Sequence, residues 1–297
     1  MSEGIGISTS AVDSHRVGAL LESSIRDIDI PPRPAILERI VTEMHRDEPD
    51  FMHLSIIISA DVSLAAGLIK TANSPYFGIR RKVRSIKEAL MVLGLRAASH
   101  AIAGLVLRQI FPPTPTMERF WDSSARIARL SGWLAQHNPG GVWVQPEDAY
   151  TFGLFRDCGI PVLLKRIHHY PEILDDANRD AILAFTAVEE AALPTNHAIV
   201  GCLLAQSWWL PEELCLAIRH HHNGTALEEN GSEIPVISQG LIAHAQLAEY
   251  LVQHHTGRSL TREWDKLGDA CLRLLNLTEE NLERLREESA EVATAED

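Results

Sequence analysis

The chain has 297 residues and carries 27 basic against 40 acidic side chains, a formal net charge of −13. An acidic excess of this size argues against a general grip on nucleic-acid backbone, which depends on Lys and Arg neutralising phosphates. With 45% hydrophobic and 23% charged residues it has the make-up of a globular protein with a sizeable core, as one large domain or two lobes.

The pattern reads as helix almost throughout, so the expected fold class is all-α. Residues 11–25 place apolar side chains at 12, 17, 20, 21 and 25, close to a 3.6 repeat. "DIPPRP" breaks that run, because proline cannot continue a helix. "PAILERIVTEMH" resumes it, and "FMHLSIIIS" is a short apolar helix. Asp61 caps "VSLAAGLIKTAN", which Asn73, Ser74 and Pro75 end. Ser85 and Glu88 form an S-x-x-E capping box at the head of "SIKEALMVLG", and Gly94 stops it. "RAASHAIAGLVLRQIF" is a further helix, and the Pro-rich "FPPTPT" (111–116) is the expected lobe boundary. Beyond it come "MERFWDSSARIARLSGWLAQH", then "PEDAYTFGLFRDCGIPVLLKRIHHY" as two helices meeting near Gly159 and Pro161. "RDAILAFTAVEEAA", "NHAIVGCLLAQSWW", "PEELCLAIRHHH", "VISQGLIAHAQLAEYLVQHH" and "TREWDKLGDACLRLLN" follow, and the charged tail after them is expected to fray.

The first 16 residues lack the basic start and apolar core of a secretory signal. Apolar runs such as "AIAGLVL" fall short of the ~20 residues that span a bilayer. Cys158, Cys202, Cys215 and Cys271 form no C-x-x-C pair, which suits a reducing compartment; the expectation is a cytoplasmic protein without membrane contact. No G-x-S-x-G elbow, Walker loop or G-x-G-x-x-G is present, and the charge of Asp157 disfavours a thiolate on Cys158.

The remaining chemistry lies in Asp157, His197, the run His220-His221-His222 and the pairs His168-His169 and His254-His255. Histidines and a carboxylate converging from separate helices are what borderline divalent metals need. Spacing alone also allows satisfied core or surface histidines: no pair has the i, i+4 spacing of a helical zinc site, and successive helical residues point about 100° apart. "IRRKVR" (79–84) reads as a solvated charged loop, and "NSPYFGIRR" (73–81) as either a turn with buried aromatics or a contact surface made by Tyr76, Phe77, Arg80 and Arg81.

Taken in order, "IPPRPAILERI", "IIISADVSLAAGLIKTANSPYFG", "VRSIKEALMVLGLRAA", "FWDSSARIA", "GLFRDCG", "NHAIVG", "WWLPEELCLAIRHHH" and "LIAHAQLAEYL" resemble the HDOD family, a relative of the HD-domain metal phosphohydrolases. The resemblance runs over roughly residues 18–255 and implies a two-lobed helical fold. It implies a flexible segment at 1–17, an N-terminal lobe at 18–112, an HD-like lobe at 113–260, and C-terminal helices with a charged tail at 261–297. In catalytic relatives a His, a His-Asp dyad and a distant Asp hold the primary metal. Carried over, these fall on Ser123, on Arg156 and Asp157, and on Gln246 or, as second choice, His244. Only Asp157 keeps its type, while the auxiliary His197, His221 and His222 survive.

Arginine stays protonated, so Arg156 brings a positive charge where a cation would sit; two like charges 4 Å apart repel by about 4 kcal/mol at an effective dielectric of about 20. The resemblance therefore implies a degenerate site whose cation is replaced by Arg156 or its ion pair with Asp157. No catalytic residue and no metal are expected, with a divalent ion on Asp157, His197, His221 and His222 as the alternative. The implied role is a non-catalytic bacterial signalling module that binds a partner protein or a small ligand; the alternative is a phosphohydrolase of nucleotides or cyclic dinucleotides.

Overall fold

The structure is a computed structural model that describes residues 29–295 apart from 45, 47, 75–76, 78–80, 112, 138–139, 229–231 and 259–260. The expected helix at 11–25 lies outside the described residues, as do Tyr76 and Arg80. Among the described residues every regular element is helical, as expected.

Three helices, α1 (Ala35–Met44), α2 (Phe51–Ser59) and α3 (Val62–Ala72), pack on α4 (Ile86–Ile110). Their ends follow the local chemistry read from the sequence. Asp50 accepts from the amides of Met52 and His53, and Asp61 from those of Ser63 and Leu64, so each satisfies donors that a helix start leaves orphaned. Asn73 then clamps the loop after α3: its amide donates to the Val83 carbonyl and accepts from the Val83 N–H, each at 2.8 Å. At the head of α4 Ser85 accepts from Glu88, while the Glu88 carboxylate reaches one residue further back than a capping box requires, to the Arg84 N–H.

Gly94 has φ 73° and ψ 164°, so α4 is two helical stretches joined at this residue, which matches the expected stop. By length and composition Ile86–Ile110 is the one helix, among the described residues, apolar enough to cross a bilayer, contrary to the short-run reading. The break at Gly94 and the burial of 61% of its most apolar stretch show what that apolarity serves: Ala98, Ile102 and Leu107 lie in the core.

The second group comprises α5 (Pro115–His137), α6 (Pro146–Phe155), α7 (Gly159–Arg166), α8 (Tyr170–Arg179), α9 (Phe185–Ala192), α10 (His197–Ser207), α11 (Glu212–His220), α12 (Val236–Thr256), α13 (Glu263–Leu274) and α14 (Glu279–Thr294). A 3-10 turn at Gly224–Leu227 lies between α11 and α12. Helix α12 is buried over most of its length and packs against α5, α6, α11, α13 and α14. The Arg96–Asp148 ion pair, at 2.6 Å, ties α4 to α6.

Two local expectations are corrected, and one helix was not anticipated. "RDAILAFTAVEEAA" is not one helix: the Asp180 carboxylate accepts from the amides of Ile182 and Leu183 in a turn, and α9 starts only at Phe185. The segment before it forms α8, whose proline at the first turn and buried Tyr170, Ile173 and Ala177 account for it. The charged tail does not fray: Thr278 and Asn281 cap α14 reciprocally, Leu282, Leu285 and Ala293 are buried, and Arg126 donates to the carbonyls of Ala293 and Ala295. A stripe of apolar residues three and four apart suffices for docking even on a strongly charged helix.

His244, 1% exposed on α12, donates from Nδ1 to the Gly240 carbonyl at 2.7 Å, and burial lowers its pKa from 6.5 to about 4 despite that bond. The folded state therefore binds fewer protons than the unfolded chain as pH drops below 6.5, and stability falls through the window from 6.5 to about 4. In thermal melts over that range, His244→Gln should flatten the pH dependence, by up to about 3 kcal/mol.

Candidate metal centre and its arginine

"GLFRDCG" (153–159) forms the end of α6, a turn and the start of α7. Its glycines set how closely neighbouring helices approach. A Cβ on Gly153 would lie 2.8 Å from the Ala128 Cα of α5, and one on Gly159 would lie 2.1 Å from the His197 carbonyl oxygen of α10. The turn between them therefore holds Arg156 and Asp157 against α5 and α10. Asn196 caps α10, its side chain accepting from Ile199, which fixes His197 as the first helical residue.

Helix α11 ends at His220, and His221 and His222 lie in the turn beyond it. The helical-wheel objection to adjacent histidines facing one point thus fails, because the helix stops before the pair; their ring centroids are 4.0 Å apart. His220 itself is half-buried and outside the cluster, and His168, His169 and His254 are exposed.

Asp157, His197, His221 and His222 bring one ligand atom each to within 4.8 Å of one another. Nε2 of His197 lies 3.3 Å from Nε2 of His221 and 3.2 Å from Nε2 of His222. Asp157 Oδ1 is 3.2 Å from His221 Nε2 and 3.5 Å from His197 Nε2. Each Nδ1 has its own partner facing away: Glu189 at 2.7 Å for His197, the Ile218 carbonyl at 2.8 Å for His221, and Glu263 at 2.5 Å for His222. These acceptors hold protons on Nδ1 and leave the three Nε2 atoms facing Asp157. Tyr170 donates to Glu189 at 2.5 Å and Lys266 to Glu263 at 2.7 Å, so both carboxylates are themselves anchored. Phe185 stacks on the His222 ring at 4.8 Å and edges against His197 at 5.2 Å.

The other oxygen of Asp157 faces a different cation. Arg156 Nε is 3.0 Å from Oδ2, an ion pair whose N–H is not aligned for a hydrogen bond, and Nη2 is 2.8 Å from Glu249 Oε1 on α12. Arg156 is 4% exposed and its Nη1 has no partner. Gln246 donates from Nε2 to the His221 carbonyl at 3.2 Å and leaves Oε1 buried without a partner. Ser123, Arg156, Asp157, His222 and Glu249 line a cavity of about 180 Å³ beside the cluster. Sequence reasoning thus placed Ser123, Arg156, Asp157, His197, His221, His222 and Gln246 in one region. His244 lies elsewhere, against Val142 and Val144. Of the contact candidates that are described, Phe77 is half-buried beside Tyr150, ring centroids 6.4 Å apart, and Arg81 is exposed. Glu189, Glu249 and Glu263 were not anticipated. Lone carboxylates on separate helices carry no local signature.

The electrostatics are those of a site short of positive charge. Among the described ion pairs, four carboxylates, Asp157, Glu189, Glu249 and Glu263, are matched by two permanent cations, Arg156 and Lys266. The shortfall of two charges can be met by one divalent ion or by protons on the histidines. Burial alone would lower the pKa of His197, but Glu189 and Asp157 raise it to about 10. Burial and the neighbouring His221 lower that of His222 to about 3, so its imidazole stays neutral. Burial would raise Asp157, yet Arg156 and the two histidines hold its carboxyl well below the usual range. Burial, then the charge of Asp157, push the Cys158 thiol well up, so it is no nucleophile.

The donor set fits a metal. Four of the six separations among three imidazole nitrogens and one carboxylate oxygen are 3.2–3.5 Å, near the edge of a tetrahedron around an ion with bonds of about 2.0–2.1 Å, and all six lie within 4.8 Å. Histidines whose second nitrogen is held by a carboxylate or carbonyl are the usual support of such ligands.

The chain matches the HDOD domain over residues 30–224, and it belongs to that family. Gln246, Glu249 and Glu263 lie beyond the matched range yet complete the site. A crystal structure named "Putative metal-dependent phosphohydrolase", from Shewanella amazonensis SB2B, is similar over 95% of this chain and 98% of that one, with TM-score 0.63 and 17% identity. Another, named "Putative signal transduction protein", from Marinobacter aquaeolei VT8, has TM-score 0.60 and 19% identity over 97% of this chain and 68% of that one. A curated "Uncharacterized protein" of Treponema pallidum is 27% identical over 209 residues, and the chain spans 40% of its length.

Arg156 balances the carboxylates of Asp157 and Glu249, so its removal strips each of a counter-charge. Arg156→Ala should lower unfolding free energy by about 3–5 kcal/mol in urea titrations, and Arg156→Ala/Glu249→Ala should recover part of that loss.

Proposed function

We propose that this chain is a non-catalytic signalling module that works by binding, and that its HD-type site holds a single divalent ion, on Asp157, His197, His221 and His222. The observation that carries the reading is the division of Asp157: one oxygen faces the guanidinium of Arg156, the other the histidines. A two-metal phosphohydrolase needs a cation on each side of such a carboxylate, to activate water and to steady the leaving oxygen. Here one side is filled by a group that cannot acidify water, because it has no open coordination position.

The ion is the alternative to the metal-free reading, and the charge shortfall and donor spacing favour it. When bound it would supply cross-linking of the α6–α7 turn, α10 and the turn after α11, because four protein ligands close a tetrahedral site. The residues themselves do the rest: Glu189 and Glu263 orient imidazoles, and Arg156 with Glu249 excludes a second ion. The reading includes lobes at 18–112 and 113–260, a cytoplasmic location and a partner protein in bacterial signalling; the phosphohydrolase remains the competing reading.

Protein purified without an affinity tag should contain about one zinc, iron or similar ion per chain by elemental analysis, and His221→Ala with Asp157→Ala should abolish it. Metal-free protein of native stability would return the site to the proton-filled alternative. Phosphomonoesters and cyclic dinucleotides offered with manganese should show no turnover above that of Asp157→Ala. Turnover that survives purification and vanishes in that variant would overturn the non-catalytic role.

A further inference from the structure

We propose that the outward face of the first stretch of α4, with the loop leading into it, docks a short acidic segment of a partner protein that also carries aliphatic side chains. The proposal rests on the reading that the chain works by binding, and asks nothing of the histidine cluster.

Charge is the first argument. Arg81, Lys82, Arg84 and Lys87 place four basic side chains within seven residues of a chain whose net charge is −13. All four are exposed and form no ion pair among the described residues. Gly78, Ile79 and Arg80, which precede them in sequence, add no acid. The one acid between residues 81 and 92 is Glu88, and its carboxylate is engaged at the helix head, accepting from the Arg84 N–H at 2.8 Å. Unpaired cations this close together repel one another, and a carboxylate-bearing partner relieves that repulsion.

The second argument is what stands beside the charges. A helix on the surface of a domain turns its aliphatic residues inward. The first stretch of α4 does so with Ile86, Ala89, Leu90 and Leu93, all buried, yet Met91 is 67% and Val92 44% exposed. Met91 lies four residues from Lys87, which puts the two side by side on one face. The break at Gly94 follows at once, so this pair stays outside while Ala98, Ile102 and Leu107 of the next stretch enter the core.

Basic side chains next to bare aliphatics suit a segment in which carboxylates flank Leu, Ile or Met. A nucleic-acid strand or an anionic bilayer would bring extended negative charge against a molecule of net charge −13. A short segment meets only the local field, which reaches about 8 Å at physiological ionic strength. The strip is also held in shape beforehand. Val83, between Lys82 and Arg84, is buried, and its N–H and carbonyl both bond to the Asn73 side chain at 2.8 Å. A surface fixed in advance loses less entropy on binding.

The test is selection of a displayed library of random short peptides against the full chain, with the enriched peptides resynthesised and titrated. They should carry Asp or Glu beside Leu, Ile or Met, and bind more weakly as salt rises. Arg84→Glu/Lys87→Glu and Met91→Asp should each weaken them by about tenfold or more. The thermal melts and metal contents of both variants should match those of the parent chain, so this outcome is read apart from that at the histidine cluster. No enrichment, enrichment of peptides without acids, or equal binding to parent and variants overturns the proposal. So does binding of duplex DNA or phosphatidylserine vesicles that the variants lose, which would give the strip a different partner. A fall in the thermal melt of Arg84→Glu/Lys87→Glu would overturn it too, because the strip would then already be paired within the chain.

Discussion

The carboxylate of Asp157 is the contact on which the rest of the site depends. It is half-buried among groups of both signs and its two oxygens serve different neighbours, Arg156 through Oδ2 and the histidines through Oδ1. A buried carboxylate is tolerated only when both oxygens are compensated. The helices are packed to permit this: Gly159 lets α7 touch α10 at His197, and Gly153 lets α6 touch α5. Glu249 supplies the counter-charge that makes a buried arginine tenable.

On the proposed reading, the cluster is half of a binuclear arrangement rather than a ruin. On that reading, the positions that depart from the catalytic pattern, Ser123, Arg156 and Gln246, form the other side, where a guanidinium faces Asp157 and a glutamine bonds to the His221 carbonyl. The side built by His197, His221 and His222 has kept its ligands together with the groups that aim them. Glu189 is anchored by Tyr170, and Glu263 by Lys266, which fixes both imidazoles without any help from a bound ion. Such pre-organisation of donors around one point is expected of a site that holds an ion, and superfluous in a purely structural histidine cluster.

Much of the fold was legible because its signals are local. Asp61, Ser85 and Gly94 mark helix ends through their own backbone neighbours, and the structure keeps all three. Helix α8 and the docked tail were missed or misjudged, since charge dominates both sequences and their burial depends on partners far along the chain. The site divides in the same way. Family likeness brought seven of its residues into view, but periodicity argued against His221 and His222 acting together, on the assumption that the helix ran through them. It ends one residue earlier. Glu189, Glu249 and Glu263 were invisible because each acts across tertiary contacts, at separations with no helical or strand period.

The central claim is that guanidinium and metal occupy opposite sides of one carboxylate. An anomalous-scattering map from crystals of the untagged protein tests it most directly. The account predicts a single peak among Asp157 Oδ1 and the Nε2 atoms of His197, His221 and His222, with Arg156 still between Asp157 and Glu249. Two peaks with Arg156 displaced, or no peak with the histidines bonded to one another through protons, would contradict it.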